Sequence, residues 1–310
     1  MSSSNRSRPR GRPPTRRDVS EAAGPARLGG QAVIEGVMVR AGDRWAAAAR
    51  RPDGAIAVHT GTVPAWASAC RRVPLVRGVL ALAATLTLGM RALAWSRAMA
   101  EGEEGRAPTS QRSVVAATVL SVGVFVSVFA LVPAAVARLA FEGGAGFAVT
   151  EAILRLGLFV GYVAAIGRLP GIRRTFEYHG AEHQAIAAYE AGDVLDVATV
   201  GGYSSRHARC GTDFLMLVAV VAVVAFAAVS PASWRLLAAS RVLLLPAVAG
   251  LAYEVLRVSD RPRAGRWLGP LMAPGLAVQR LTTRPPTDEQ VEVAIAAVGA
   301  AVTARSTASG

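Results

Sequence analysis

"VVAATVLSVGVFVSVFALVPAAVA", residues 114–137, carries no charged side chain from end to end. A helix rises 1.5 Å per residue, so this stretch is long enough to cross a hydrocarbon core of about 30 Å. In lipid the backbone must satisfy its own polar groups, and a helix does so within one segment. The stretch therefore predicts a transmembrane helix, and with it the fold class: a mainly α membrane protein. The composition agrees. Hydrophobic residues make up 52% of the chain and charged residues 18%, below the usual share of roughly a quarter.

Working outward, three more apolar runs read as spans: Ala152–Ile166, Phe214–Val229 and Leu236–Leu256. This gives about four transmembrane helices. Arg241 lies near an end of the last run and is expected to reach the headgroups. "PLVRGVLALAATLTLGMRALAWSR", 74–97, is apolar only between Arg77 and Arg91, which is short for a span. It is read as one additional interfacial or packed helix. A small N-terminal β unit precedes it, with strand-like runs in "QAVIEGVMVR" (31–40) and "GAIAVHT" (54–60) and a turn at "RPDG" (51–54). His59 in the last strand reads as packing.

The expected organisation is a disordered basic tail over 1–27, a β unit over 28–64 and an amphipathic helical region over 65–112. A transmembrane hairpin (113–167), a polar connection (168–212) and a second hairpin (213–257) come next. A C-terminal segment (258–300) is expected to read as loop and then a helix capped by Thr287 or Asp288, with a disordered tail over 301–310. Pro285 and Pro286 stand just before that cap.

The net charge is +13 and every basic residue is arginine. The absence of lysine excludes a Schiff-base lysine and a lysine-bearing phosphate loop. The arginines crowd the segment before residue 114, the 168–212 connection and the stretch after 257, whereas the turn "FEGGAGF" (141–147) has none. The positive-inside rule places the basic parts, and both termini, in the cytoplasm. The expected partner is the lipid bilayer, with anionic headgroups meeting the arginine-rich segments; no nucleic acid is expected. Two cysteines, Cys70 and Cys210, are too few for a disulfide framework.

One polar stretch interrupts this oily chain: "YHGAEHQAIAAYE", 178–190. Residues 173–191 fit a helix with Gly192 as its stop. Positions four apart share a face, so His179 and His183 project together with Glu182 beside them. His-x-x-Glu-His is also the mirror of the zincin motif, in which two histidines hold zinc and the glutamate is the general base. Candidates for a third ligand are Glu190, two turns on, and His207 and Cys210 in "RHARCGTDF" (206–214). Three protein ligands plus water make a catalytic site, four a structural one. The expected cofactor is a divalent metal, with zinc favoured by these donors, and Glu182 is the candidate catalytic residue.

With "GGQAVIEGVMVR" (29–40) and "APGLAVQRLTTRPPTDEQVEVAI" (273–295), these motifs resemble the YqhQ-like family. Its members are bacterial multi-pass membrane proteins of unknown function for which metal-dependent activity is expected. The resemblance runs from Gly29 to Ala297. It implies the plasma membrane of a bacterium and carries the histidine–glutamate motif onto His179, Glu182 and His183, and the His-x-Arg-Cys-Gly element onto His207, Arg209, Cys210 and Gly211. Ala208 stands where the family often has proline.

Two functions follow as expectations. One is a zinc-type hydrolase at the cytoplasmic face of the membrane. The other is a non-enzymatic scaffold or assembly factor with a structural metal. Haem ligation by the histidine pair stays open, and transport ranks low because the middles of the spans hold almost no ionisable residues. Glu35 either reaches the site or pairs with an arginine. Gln279, Arg280, Thr282 and Thr283 form a polar patch that closes the site or packs under it.

Overall fold

The computed structural model describes residues 28–68, 72–102, 110–206, 210–229, 233–259 and 262–307. The basic tail, Cys70, His207 and Arg209 lie outside the described residues. Four strands come first: β1 (Leu28–Val33), β2 (Gly36–Ala41), β3 (Arg44–Arg50) and β4 (Ile56–Thr62), paired antiparallel in sequence order. "QAVIEGVMVR" is thus two strands rather than one. The turn between them, closed by Gly36, places Glu35 at a positive φ of 50°. Glu35 tolerates this because its carboxylate is held, by Arg174 from both sides of the fork and by the Tyr178 hydroxyl at 3.2 Å. The expectation of an arginine partner for Glu35 holds.

Eleven helices of the described residues follow: α1 (Val76–Ala100), α2 (Gln111–Val126), α3 (Val132–Ala140), α4 (Gly144–Ile166), α5 (Pro170–Ala191), α6 (Val197–Gly201), α7 (Gly211–Ala227), α8 (Trp234–Leu243), α9 (Leu245–Ser259), α10 (Pro262–Thr282) and α11 (Asp288–Ser306). Alternation along the strands loads both faces of the sheet. Val37, Val39, Ala46 and Ala48 pack on α5 and α11, through Tyr178, Ala181, Val291 and Ala294. Met38, Trp45 and Ala47 pack on Leu88 and Ala92 of α1. His59 lies between the rings of Trp45 and Trp95, at 5.3 and 5.7 Å between centroids, in a packing role.

Helix α5 is central and buried on nearly every side. Pro170 sits in its first turn, where no amide partner is lost, and Gly192 ends it in the left-handed region at φ 80°. At Gly180 a Cβ would stand 2.1 Å from the Arg284 carbonyl oxygen, so only glycine lets the 282–284 backbone lie against this helix. Helix α11 starts with a capping box between Thr287 and Gln290 and buries Val291, Val293, Ala294, Ala297 and Val298, which is the docking its apolar face called for.

Among the described residues, four helical segments are long and apolar enough to cross a membrane: Val76–Ala100, Arg112–Ala140, Gly144–Ile166 and Trp234–Ser259. Their apolar windows are only 17–33% buried, so most of that surface faces outward, as lipid contact requires and water does not favour. The number agrees with the sequence. One of the four is the 74–97 segment, read from the sequence as an interfacial or packed helix; its length and composition suit a membrane, and it is also packed, on the sheet through Leu88 and Ala92. Its Arg77 is paired with Glu254 of α9. The run expected over 214–229 is the shorter helix α7, at the lower limit for a span.

Three further expectations are corrected. Arg241 does not reach headgroups; it is fully buried. Its Nε and Nη2 lie 2.9 and 2.6 Å from the Glu151 carboxylate, and Arg155 Nη2 reaches the same carboxylate at 2.6 Å. A π turn over Ser127–Leu131 joins α2 to α3, and the Phe129 carbonyl within it accepts from Arg155 Nε at 3.0 Å. The spans are therefore not empty of buried charge. The segment after 260, read as loop, is helix α10 despite Pro270 and Pro274, because it packs along α7, where Gly275 admits Asp213. The last helix runs to Ser306, through residues expected to be a tail, and Ala301 is buried within it.

Candidate metal centre

His179 and His183 stand one turn apart on α5 with ring centroids 4.4 Å apart. Cys210, the residue that caps the N-terminus of α7, brings its Sγ to 3.1 Å from His179 Nε2. One ligand atom from each of the three residues lies within 4.8 Å of the other two. A tetrahedral ion with ligands at about 2.0–2.3 Å separates its ligand atoms by roughly 3.3–3.7 Å. The observed spacings bracket that range, so small side-chain shifts would close the three atoms on one ion.

The second contacts of the histidines fix which nitrogen faces inward. His179 Nδ1 lies 2.8 Å from the Thr282 carbonyl oxygen, and His183 Nδ1 lies 2.7 Å from that of Ser205. A carbonyl oxygen only accepts, so both Nδ1 atoms carry a proton, and in the neutral rings both Nε2 atoms present lone pairs. This backing by carbonyls is the arrangement metal-ligating histidines adopt. Burial pushes the Cys210 thiol up, with the Thr212 hydroxyl and amide pulling it part of the way back. A bound cation would favour its thiolate.

Glu182 sits beside the pair, 4% exposed, with Oε2 at 3.5 Å from His183 Nε2. Burial pushes its carboxyl up to about 8, and His179 draws it partly down. Its other side is covered by the sheet: a Cβ on Gly30 would lie 2.3 Å from Glu182 Oε1. The glycine of "GGQAVIEGVMVR" thus makes room for this carboxylate.

Of the third-ligand candidates, the fold brings in Cys210. Glu190 is not in the converging group; seven residues past His183 on one helix, it lies about 10 Å further along. His207 falls outside the described residues. Asp213 was missed. It is 1% exposed, its Oδ2 accepts from Gln279 Nε2 at 2.8 Å, and its Oδ1 is buried with no hydrogen-bond partner among the described residues. An acid in the first turn of a strongly apolar helix was the signal available. The polar patch on α10 packs under the site: Gln279 holds Asp213, Thr283 Oγ1 donates to the Gln279 carbonyl at 2.9 Å, and the Thr282 carbonyl backs His179.

Comparison with known proteins gives relatives without a described activity. The chain is 33% identical over 292 residues to "Uncharacterized protein YqhQ" of Bacillus subtilis (strain 168), covering 87% of this chain and 91% of that one. No solved structure matches it. The family model described as "Protein of unknown function (DUF1385)" matches residues 73–304, which takes in all the spans, the histidine pair, Cys210 and the α10 patch. The chain belongs to this family of proteins of unknown function.

Proposed function

We propose that the protein is a zinc-type hydrolase whose site lies where the helical bundle meets the cytoplasmic face of a bacterial plasma membrane. One observation carries the reading: two imidazole Nε2 atoms and a thiol converge while a buried carboxyl stands within reach of them. Thiolate and imidazole donors in a tetrahedral set favour zinc over calcium or magnesium. An ion bound by three protein ligands supplies a Lewis acid and lowers the pKa of a coordinated water. His179 and His183 hold the proton on Nδ1 and so keep their lone pairs inward. Glu182 accepts a proton from the attacking water and returns it to the leaving group. The arginine-rich 168–212 connection supports the cytoplasmic placement.

The burial of His183 and Cys210 favours one alternative, a structural metal in a non-enzymatic scaffold or assembly factor. Elemental analysis of detergent-purified protein separates the two. The hydrolase reading expects one zinc per chain, lost in the His179→Ala, His183→Ala double variant and retained in Glu182→Gln. It also expects Glu182→Gln to lower ester hydrolysis about 10²–10⁴-fold. Undiminished hydrolysis in Glu182→Gln removes the mechanism, and zinc that survives loss of both histidines removes the site.

A further inference from the structure

The ring of His179 is met at both nitrogens, by the ends of two different helices. Nδ1 lies 2.8 Å from the carbonyl oxygen of Thr282, the last residue of α10. Nε2 lies 3.1 Å from the sulfur of Cys210, the N-cap of α7. The place of the sulfur relative to that carbonyl therefore depends on how the start of α7 sits against the end of α10. An ion tolerates little error there, since ligand distances hold to about 0.2 Å.

Three features join those two helix ends. Asp213, in the first turn of α7, accepts at Oδ2 from Gln279 Nε2 of α10 at 2.8 Å. The Thr212 and Thr282 hydroxyls lie 3.3 Å apart. At Gly275 a Cβ would stand 2.7 Å from Asp213 Oδ1 and 3.0 Å from its Cα, so this approach of α10 to α7 needs glycine. Asp213 and Gln279 are both buried. Burying a carboxyl is costly, and a mere helix contact is made more favourably by apolar side chains. Asp213 is not among the converging ligand atoms. What the pair supplies is register: a hydrogen bond fixes direction and distance, where apolar packing has no direction.

We propose that Asp213 and Gln279 are positioning residues of the centre. Their bond sets α7 against α10 so that the Thr282 carbonyl keeps the proton on His179 Nδ1 while Nε2 and the Cys210 sulfur face the place of an ion. The effect on metal binding rests on the zinc reading above; the effect on the imidazole does not.

The test uses the full chain in detergent, with Asp213→Ala and Gly275→Ala as disruptive variants and Asp213→Asn as the conservative one. Asparagine keeps an oxygen that accepts from Gln279, so the charge is lost and the bond is not. Zinc is titrated in competition with a chromogenic chelator. Cobalt then replaces zinc, and its thiolate charge-transfer band reports the bond to Cys210. In metal-free protein, NMR of isotope-labelled histidine reads the His179 tautomer, with the signal assigned by its loss in His179→Gln.

Asp213→Ala should weaken zinc binding about 10–100-fold, diminish the charge-transfer band and turn His179 from the Nδ1–H tautomer into a mixture. Gly275→Ala removes no hydrogen-bonding group and should move all three the same way; it decides the matter if Asp213→Ala does not fold. Asp213→Asn should match the wild type. Unchanged zinc affinity and tautomer in the disruptive variants, even with a lower melting temperature, would make the pair a plain helix contact and overturn the proposal. Asp213→Asn as damaging as Asp213→Ala overturns it too, because charge and not the bond would then matter. Wild type that takes up no zinc defeats the metal reading, and the tautomer still decides this inference.

Discussion

Two clusters of buried polar groups sit at different places in this protein, and they differ in what they lack. Glu151, in the second turn of α4, is gripped by Arg155 and Arg241, and those arginines also donate to the Phe129 and Val229 carbonyls. Arg241 further lies over the Phe147 and Phe226 rings. Donors meet acceptors throughout, so the set is closed. The other end of α4 leads into α5, where His179, His183 and Cys210 converge. There the histidine N–H groups are turned outward to carbonyls, and lone pairs and sulfur are turned in. The difference teaches that buried charge alone is not a site. An inward set made of acceptors and a thiol could hold a cation, whereas a balanced set holds helices together. Buried charge in a span normally raises the question of a transport path, and here the closed bonding of the Glu151 cluster answers it structurally.

The largest test of that contrast is Glu151→Ala. It strands two buried guanidiniums and should lower thermal stability in detergent by about 3–5 kcal/mol. Replacing Glu151, Arg155 and Arg241 together by leucine should cost less than the single change. Equal melting of Glu151→Ala and wild type would show that the cluster is not closed.

A smaller effect is expected at the open cluster, in metal-stripped protein. The folded state holds the Glu182 proton up to about 8, whereas the unfolded chain releases it near the ordinary 4.5. Between these values the unfolded state binds fewer protons, so stability falls as pH rises and levels off above about 8. The slope due to Glu182 is about 1 kcal/mol per pH unit, read as the difference between wild type and Glu182→Gln in melts across that window. Zinc should flatten it, because a neighbouring cation favours the carboxylate. A slope that zinc leaves unchanged would separate Glu182 from the metal centre.

The smallest effect calibrates the other two. Arg174 and Glu35 repeat the arginine–glutamate chemistry of the closed cluster, but their side chains are 48% and 26% exposed. Arg174→Gln should change stability by no more than about 1 kcal/mol. A loss as large as that of Glu151→Ala would mean that burial is not what separates the two pairs.

Residues whose meaning is local were legible before any fold was known. The uncharged run at 114–137, the stop at Gly192, a cap at Thr287 or Asp288 and the shared face of His179 and His183 all follow from spacing along one element. Residues whose meaning depends on a partner far along the chain were not. Arg241 looked like a headgroup contact because Glu151 is remote in sequence. Asp213 looked like the edge of an apolar helix because Gln279 is remote as well. Arg77 looked like a lone charge on an apolar helix because Glu254 is remote in sequence. The positive φ at Glu35 was not legible because Arg174 and Tyr178, which hold its carboxylate, come from another element.

The sequence by itself determined that this is a helical membrane-type protein with a small sheet and a helix that aims two imidazoles the same way, since hydropathy, helical period and capping act over a few residues. Only the tertiary structure decided that Cys210, and not Glu190, joins them, and that backbone carbonyls of Thr282 and Ser205 turn their lone pairs inward. A ligand set is a meeting of atoms within a few ångströms, and distance along a chain does not measure distance in space once helices pack.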